Sequence, residues 1–448
     1  MAKIVIIGAG LTGLSTAYHL EKNGFYDYEI FEKEAETGGL CRSVRQDGFT
    51  FDFTGHLLHI NDPYFQSFIQ DIVGFHNLNQ IERRSFIYSC NTYTPYPYQM
   101  NLYGLPAPII SDCICGFVAR KKSAKKVKTY YQWILKNFGS GFGNHFFFPY
   151  QRKIFDYDIR KISSSWTSRF VPSTCLQQII QGSLAPNPKP NIGYNSKFFY
   201  PKKGGINSFV SCLEKKITNK IQKGACLKTV DMKHKKLEFK NGDIQKFDIL
   251  ISTMPLKTLL CSLKEKTTTS LHKAAKKLRC NAVVNFNLGI SIPQISNKHW
   301  IYFPEEKFPF YRIGFGHNFS TNMAPFGNSC LYGEFAHTHR TKQFVSEKLK
   351  QSLIATKQLL NLTKRDIVTE KIISIPYAYV IYDLWREKHI GSIHNLLNEN
   401  QIYSIGRYGA WKYASMQEAI LDGKEMADIL TSHTNNSIFL SKKQEKRS

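Results

Sequence analysis

Two glycine clusters in the first 43 residues constrain this chain more than any other feature. Gly8-Ala9-Gly10-Leu11-Thr12-Gly13 sits between the apolar run Ile4-Val5-Ile6-Ile7 and a helical stretch, and Gly38-Gly39-Leu40-Cys41-Arg42-Ser43 follows about one βαβ unit later. The β-branched run reads as a short strand buried on both faces. Gly8 permits the tight turn out of it. Gly10 lacks the Cβ that would hold backbone N–H groups away from a pyrophosphate, and Gly13 lets the next helix pack close to the sheet. That helix is predicted over residues 12–23, with Leu14, Ala17, Tyr18 and Leu20 at helical spacing and Gly24 as its stop. Its start at Leu11 and Thr12 turns partial positive charge toward the phosphates. A second strand, Tyr28-Glu29-Ile30-Phe31-Glu32, ends in an acid nineteen residues after Gly13. A carboxylate there accepts hydrogen bonds from ribose hydroxyls, and Lys33 lies next to it in the chain.

The first cluster alone fits any dinucleotide. The second, just after the ribose-binding strand, is the pattern of FAD-binding chains rather than NAD-binding ones. Gly38 and Gly39 allow close backbone approach, Leu40 and Ser43 flank them, and Arg42 is a fixed cation beside the phosphates. No second strand-linked glycine motif appears, which argues against a built-in NAD(P) domain. Gly139-Ser140-Gly141-Phe142-Gly143 lacks a preceding strand and is predicted to be a loop.

At 448 residues the chain supports about two or three domains and a large core. No uninterrupted apolar run reaches transmembrane length. Residues 102–119 come nearest, and Pro106, Pro108 and Asp112 make them a buried loop and helix instead. The N-terminus enters a strand at once, which leaves no room for a signal peptide. The ten cysteines are scattered, no metal spacing appears, and reduced thiols in a cytoplasmic protein fit best. The net charge of +26 is spread widely over lysines, which suits anionic small substrates or a peripheral membrane contact better than nucleic acid. The sequence leaves the oligomeric state open.

The fold class expected is α/β, with a Rossmann-like FAD-binding domain that is discontinuous over residues 1–60, 197–260 and 398–431. Within it lie a helix over 206–221, a hairpin turned at Asn241-Gly242, a strand over 248–253, a strand over 402–407 and a helix over 416–430. Residues 61–196 read as a mainly helical cap. Residues 270–397, alternating apolar and polar with many aromatics over 280–385, read as an antiparallel-sheet substrate domain. Residues 432–448 are polar and read as a disordered tail.

Along nearly its whole length the chain resembles the UDP-galactopyranose mutases of the eukaryotic type, within the broader FAD-dependent amine oxidase and protoporphyrinogen oxidase superfamily. The segments that carry the likeness run in order from GAGLTGLSTAYHL and GGLCRS through TGHLLHI, PYPYQMNL, PYQRKIF, SWTSRFVP, YPKKGG and FYRIG to GRYGAWKYASM. The two ends are shared by the superfamily. Tyr96 to Leu102, Trp166 with Arg169, and Tyr311-Arg312 with Tyr302 ten residues earlier resemble substrate segments of the mutases in particular.

The resemblance implies a GR2-type FAD domain and non-covalent FAD that works reduced. It implies interconversion of the pyranose and furanose forms of a UDP-sugar through a reduced-flavin N5 adduct, in surface polysaccharide synthesis. An external reductant such as NAD(P)H would then be needed. Arg169 and Arg312 would clamp the leaving diphosphate. Tyr302, Tyr379 and Tyr413 would donate further hydrogen bonds, Tyr96 and Gln99 would meet the uracil, and Gln151 would lie on the nucleotide side. Gly55 and His56 would stand beside the flavin N5, Gly406 and Arg407 near the FAD diphosphate or ribityl chain, and the helix starting at Met416 near the reduced ring. Four departures concern the substrate rather than FAD. Gln151 stands where the family has Asn, Phe155 where it has Trp, Phe319 where it has Tyr, and the segment after Tyr413 is two residues short. The alternatives are an oxidoreductase of the same superfamily, acting on an amine, a porphyrinogen or a polyene, and a non-enzymatic FAD-stabilised or nucleic-acid-binding protein.

Overall fold

Ile4–Ile7 forms a strand with every side chain buried, because both of its faces are covered. It is the middle of a five-stranded parallel sheet in the order Ile402–Ser404, Ile249–Ser252, Ile4–Ile7, Tyr28–Phe31, Ile221–Gln222. Ile4 and Ile6 share one core with Leu14, Ala17 and Leu20 of the helix Leu11–Lys22. Val5 and Ile7 share another with Val230, Leu237 and Leu260 on the opposite face. The computed structural model describes residues 3–121, 127–165, 171–187, 196–264, 269–338 and 340–445. Trp166 and Arg169 lie outside the described residues.

A second, seven-stranded sheet follows the order Ile367–Ile375, Ala282–Ile290, Ser329–His337, Arg312–Gly314, Trp300–Tyr302, Ser85–Ser89, Thr92–Pro95. Its pairings are antiparallel except that of Trp300–Tyr302 with Ser85–Ser89. The architecture is therefore α/β, with a Rossmann-like sheet and a largely antiparallel second sheet. Ser85–Ser89 and Thr92–Pro95 come from the stretch expected to be mainly helical, and they close one edge of this sheet.

Several boundaries differ from expectation, each for a local reason. The helix expected over 206–221 covers only Asn207–Glu214. The buried carboxylate of Glu21 captures the N–H groups of Thr218 (2.9 Å) and Asn219 (3.1 Å), pulling the chain out of helix and into the edge strand Ile221–Gln222. The strand at 402 ends at Ser404, and Gly406, at φ +78°, opens the short helix Gly406–Gly409. Residues 139–147 are helical rather than a loop. Their glycines lie against the helix Ala107–Val118, and a Cβ on Gly141 would stand 2.1 Å from the Asp112 carbonyl oxygen. That helix buries only Cys113 and Phe117, so the apolar stretch at 102–119 is less enclosed than its composition suggests. The last helix runs from Met416 to Glu445, well past Leu430, and no Gly or Pro after Gly423 interrupts it. The hairpin at Asn241-Gly242 joins Lys236–Phe239 to Ile244–Lys246.

All ten cysteines are unbonded. Among the described residues no helix is long and apolar enough to cross a membrane, and no cluster of three metal-ligating side chains occurs.

Candidate active site

The two glycine clusters meet in space. Gly38 N donates to the Ala9 carbonyl at 2.8 Å, and Gly10 bridges Gly38 in parallel. Gly10 and Gly39 then face each other with bare Cα atoms. A Cβ on Gly10 would lie 3.9 Å from Gly39 Cα, and one on Gly39 would lie 3.5 Å from Gly10 Cα. Gly8 turns at φ +100°, and a Cβ on Gly13 would fall 1.9 Å from the Gly8 oxygen. The first intrahelical bond is Leu14 N to Gly10 O at 3.0 Å, and no side chain caps the helix. The N–H groups of Leu11, Thr12 and Gly13 thus lie outside the ladder, at the positive end of the dipole.

Around this cradle some expected side chains serve it and some do not. Glu32 is buried and accepts from Ala9 N (2.8 Å) and Glu34 N (3.0 Å), one bond per oxygen, so each oxygen keeps a lone pair. Gly406 packs on Thr12, where a Cβ would meet Oγ1 at 2.6 Å. Arg42 donates through Nε to Gly39 O at 2.8 Å and lies over the Phe53 ring at 4.7 Å, while Leu40 packs with the aromatic core beyond. Two expectations are corrected. The Lys33 ammonium pairs with Glu34 at the surface (3.1 Å). The Ser43 hydroxyl is committed elsewhere, donating to Asp52 Oδ1 at 2.6 Å and accepting from Asn207 N at 3.1 Å. It fastens the second cluster to a helix rather than to a ligand. Asp52 also accepts from the Tyr200 hydroxyl (2.6 Å), and burial pushes its pKa up to about 6. Met416 is buried, but its helix start is already capped by Ser415 and Glu418, with Ser415 N to Glu418 Oε2 at 2.7 Å.

Beyond the cradle lies a pocket of phenols and guanidinium groups. Cross-strand register places Tyr302 opposite Arg312, Arg312 opposite Glu334, and Glu334 opposite Asn285, so one sheet face carries a polar row. Tyr302 contacts Tyr96 (centroids 5.5 Å) and Tyr150 (5.3 Å), Tyr150 contacts Tyr311 (6.4 Å), and Tyr311 contacts Tyr379 (6.5 Å). Phe155 meets the edge of Tyr379 at 6.2 Å. Arg407 stacks on Tyr413 at 4.5 Å and approaches Tyr379 at 5.9 Å. His56 lies on the same side, and its backbone neighbour Gly55 abuts Tyr332, where a Cβ would meet the hydroxyl at 2.4 Å. Burial, then Arg407 and Arg312, lower the His56 pKa to about 4. Burial likewise raises the pKa values of Tyr302 and Tyr379, against the pull of Arg312, so these phenols stay protonated donors.

Arg312, expected in the diphosphate clamp, and Arg407, expected near FAD, are each held by partners within the chain. Arg312 donates to Glu334 through Nε (3.2 Å) and Nη2 (2.7 and 2.8 Å). Arg407 donates through Nη1 to Ala414 O (2.7 Å) and through Nη2 to Ala378 O (3.0 Å), so it braces the segments bearing Tyr413 and Tyr379. Gln99 is fully buried and donates to the Pro172 carbonyl at 2.7 Å. Gln151 lies beside the buried Tyr130 hydroxyl. Arg169 lies outside the described residues.

A family model for flavin containing amine oxidoreductases matches residues 11–431. The chain belongs to that family. Its structure is similar to the crystal structure of a reduced UDP-galactopyranose mutase. They share 25% identity and a TM-score of 0.90 over 96% of this chain and 94% of that one. It shares its fold with a fatty acid isomerase from P. acnes at 13% identity and TM-score 0.65, over 95% of this chain and 98% of that one. A 4,4'-diapophytoene desaturase from Staphylococcus aureus (strain bovine RF122 / ET3-1) is 33% identical over 86 residues, 19% of this chain. That match spans only 17% of the desaturase's length.

FAD is the cofactor the family implies, and the cradle fits it. Bare Cα atoms at Gly10 and Gly39 let a pyrophosphate approach the backbone, three helix-start N–H groups stand outside the ladder, and Glu32 sits at the second strand's end. The residues that sequence reading gave no role are Glu334, Tyr150 and Arg83, and Tyr311 was read only as part of a substrate segment. Glu334 carried a usable signal, as the only charged residue before His337 in the strand Ser329–His337. Arg83, buried and 4.9 Å from the Tyr96 ring, was hidden by its place next to Arg84 in a strand-like stretch.

Proposed function

We propose that this enzyme interconverts the pyranose and furanose forms of a UDP-sugar, with UDP-galactose as the first candidate. The single observation that carries the reading is the cluster in which Tyr96, Tyr302, Tyr150, Tyr311 and Tyr379 follow one another through ring contacts, with Arg407 and Tyr413 beside Tyr379 and Arg312 opposite Tyr302 in the sheet. A substrate that must release and recapture a diphosphate needs protonated phenols and guanidinium groups. A polyene or porphyrinogen needs an apolar slot. The 25% identity to a mutase over nearly the whole chain supports the same reading.

In this reading reduced FAD, when bound, supplies covalent catalysis at the anomeric carbon with no net redox change. The chain's own part is positioning and charge. Tyr302 and Tyr379 donate to the diphosphate, Arg312 adds a fixed donor, and Arg407 holds the tyrosine segments in place. Gln99 and Tyr96 border the uracil. His56, neutral above about pH 4, adds a polar but uncharged wall beside the two arginines. Arg169 belongs to the same proposed donor set on the strength of the resemblance. An external reductant such as NAD(P)H keeps the enzyme active, and a cytoplasmic supply of nucleotide sugars for surface polysaccharide suits it.

The test is a direct assay. Purified holoenzyme is reduced with dithionite and given UDP-galactofuranose, and the nucleotide sugars are separated by anion-exchange chromatography. UDP-galactopyranose should form, and only with reduced enzyme. No conversion, with oxygen uptake on an amine or porphyrinogen, would replace this reading with the oxidase one.

A further inference from the structure

Glu334 sits in the strand Ser329–His337 and exposes none of its side chain. Its Oε1 accepts from Arg312 Nε and Nη2, and its Oε2 accepts from Nη2 and from the Tyr311 hydroxyl at 2.5 Å. The Nε–Nη2 edge of the guanidinium is thereby fully committed. No described residue bonds Nη1. Arg312 keeps 18% of its side-chain surface while Glu334 keeps none, so what remains exposed at the pair belongs to the arginine.

Resting on the reading of the cluster as a diphosphate site, we propose that Glu334 is a positioning residue that fixes Arg312 so that the guanidinium face away from the carboxylate, which carries Nη1, donates to the substrate diphosphate. A guanidinium on a flexible stem would otherwise turn its two-nitrogen edge to the phosphates. The carboxylate takes the Nε–Nη2 edge and holds the opposite face, with Nη1, in one orientation.

The proposal opposes a simpler electrostatic view of the pair. If Glu334 only neutralised charge, removing it would leave the pocket more positive and tighten anion binding. If it positions Arg312, removing it frees the guanidinium, leaves a buried polar edge mispaired, and weakens anion binding.

The experiment is calorimetric titration of FAD-loaded enzyme with UDP and, for comparison, UMP. Glu334→Gln should weaken UDP binding by about tenfold or more, as losing charge-assisted bonds does. It should weaken UMP less and leave the flavin-to-protein ratio unchanged. In an Arg312→Gln background, Glu334→Gln should add no further loss, since its effect runs through the arginine. Glu334→Asp keeps the charge but withdraws the acceptors by one methylene. It should also weaken UDP binding, and it serves if the glutamine variant fails to fold. Unchanged or tighter UDP binding in these variants, or an equal loss in both backgrounds, would overturn the proposal. Wild-type enzyme that binds no UDP would overturn the diphosphate reading itself, and the two failures are therefore distinct.

Discussion

Gly10 and Gly39, twenty-nine positions apart in the chain, face each other across a gap with nothing between their Cα atoms. Gly10 has φ −74° and ψ −179°, an extended conformation that any residue adopts. Its lack of a side chain is therefore not required by the backbone. We propose that this Cβ-sized gap keeps the backbone N–H groups open to the FAD pyrophosphate.

Gly10→Val should accordingly empty the enzyme of FAD while leaving the apoprotein's thermal midpoint within about 2 °C of wild-type apoprotein. Flavin absorbance per mole of protein and a melting curve decide it. Gly13→Ala makes the contrast, because its Cβ would fall 1.9 Å from the Gly8 oxygen. That variant should lose about 1–3 kcal/mol of stability as well as FAD. Full flavin content in Gly10→Val would mean the gap is not the pyrophosphate site.

Gly141 gives a prediction away from the cofactor. Its Cβ would stand 2.1 Å from the Asp112 carbonyl oxygen, forcing apart the helices Gly139–Phe142 and Ala107–Val118. Gly141→Ala should cost about 1–3 kcal/mol in chemical denaturation, with FAD content and the turnover of the folded fraction unchanged. A stability equal to wild type would show that these helices have room to separate.

The difference between these glycines explains how much of the molecule was legible beforehand. The first βαβ unit is local: strand, glycine turn, helix and acid-ended strand are contiguous in residues 4–32, and their chemistry is written in order. Gly141 was misread as part of a loop because its reason is a helix more than twenty residues upstream. Ser43 and Lys33 were read as ligand contacts from position alone, but Asp52 and Glu34 claim their polar atoms. Arg312 was found, yet its partner was not, because Glu334 reaches it only through sheet register. Pairing across strands is fixed by tertiary structure, so the polar row on that sheet face could not be read along the chain.

Buried histidines make stability depend on pH. Burial lowers His19, His56 and His59 to about 4 and His299 to about 3, from an ordinary value of 6.5. Between pH 6.5 and 4 the unfolded chain binds protons at these sites and the folded chain does not. Stability therefore rises with pH through that window and falls on acidification. Asp52 opposes this, since its folded pKa is raised to about 6 and its contribution is lost as pH climbs toward that value. Burial also lowers His317 and His394 and raises Asp422, so six histidines against two carboxyl groups should leave a net loss on acidification. Urea midpoints from pH 7.5 down to 4.5 should decrease steadily, and a flat or rising profile would contradict the burial of these rings.

Arg407 offers the sharpest separation of scaffold from chemistry. Its two Nη atoms hold carbonyls on different segments, Ala414 after Tyr413 and Ala378 before Tyr379. A lysine keeps the charge, but one ammonium on a flexible stem cannot reproduce a planar fork between two fixed acceptors. Arg407→Lys should lose one of the two bonds, at a cost of about 1–3 kcal/mol for a charge-assisted bond to a buried carbonyl. The tyrosine whose segment is released should then drift from the pocket. The expected result is a large fall in kcat for ring interconversion with a smaller change in UDP affinity, since Arg312 remains held by Glu334. If UDP affinity instead collapsed while kcat at saturation stayed normal, Arg407 would be a direct ligand of the diphosphate rather than the brace for Tyr379 and Tyr413.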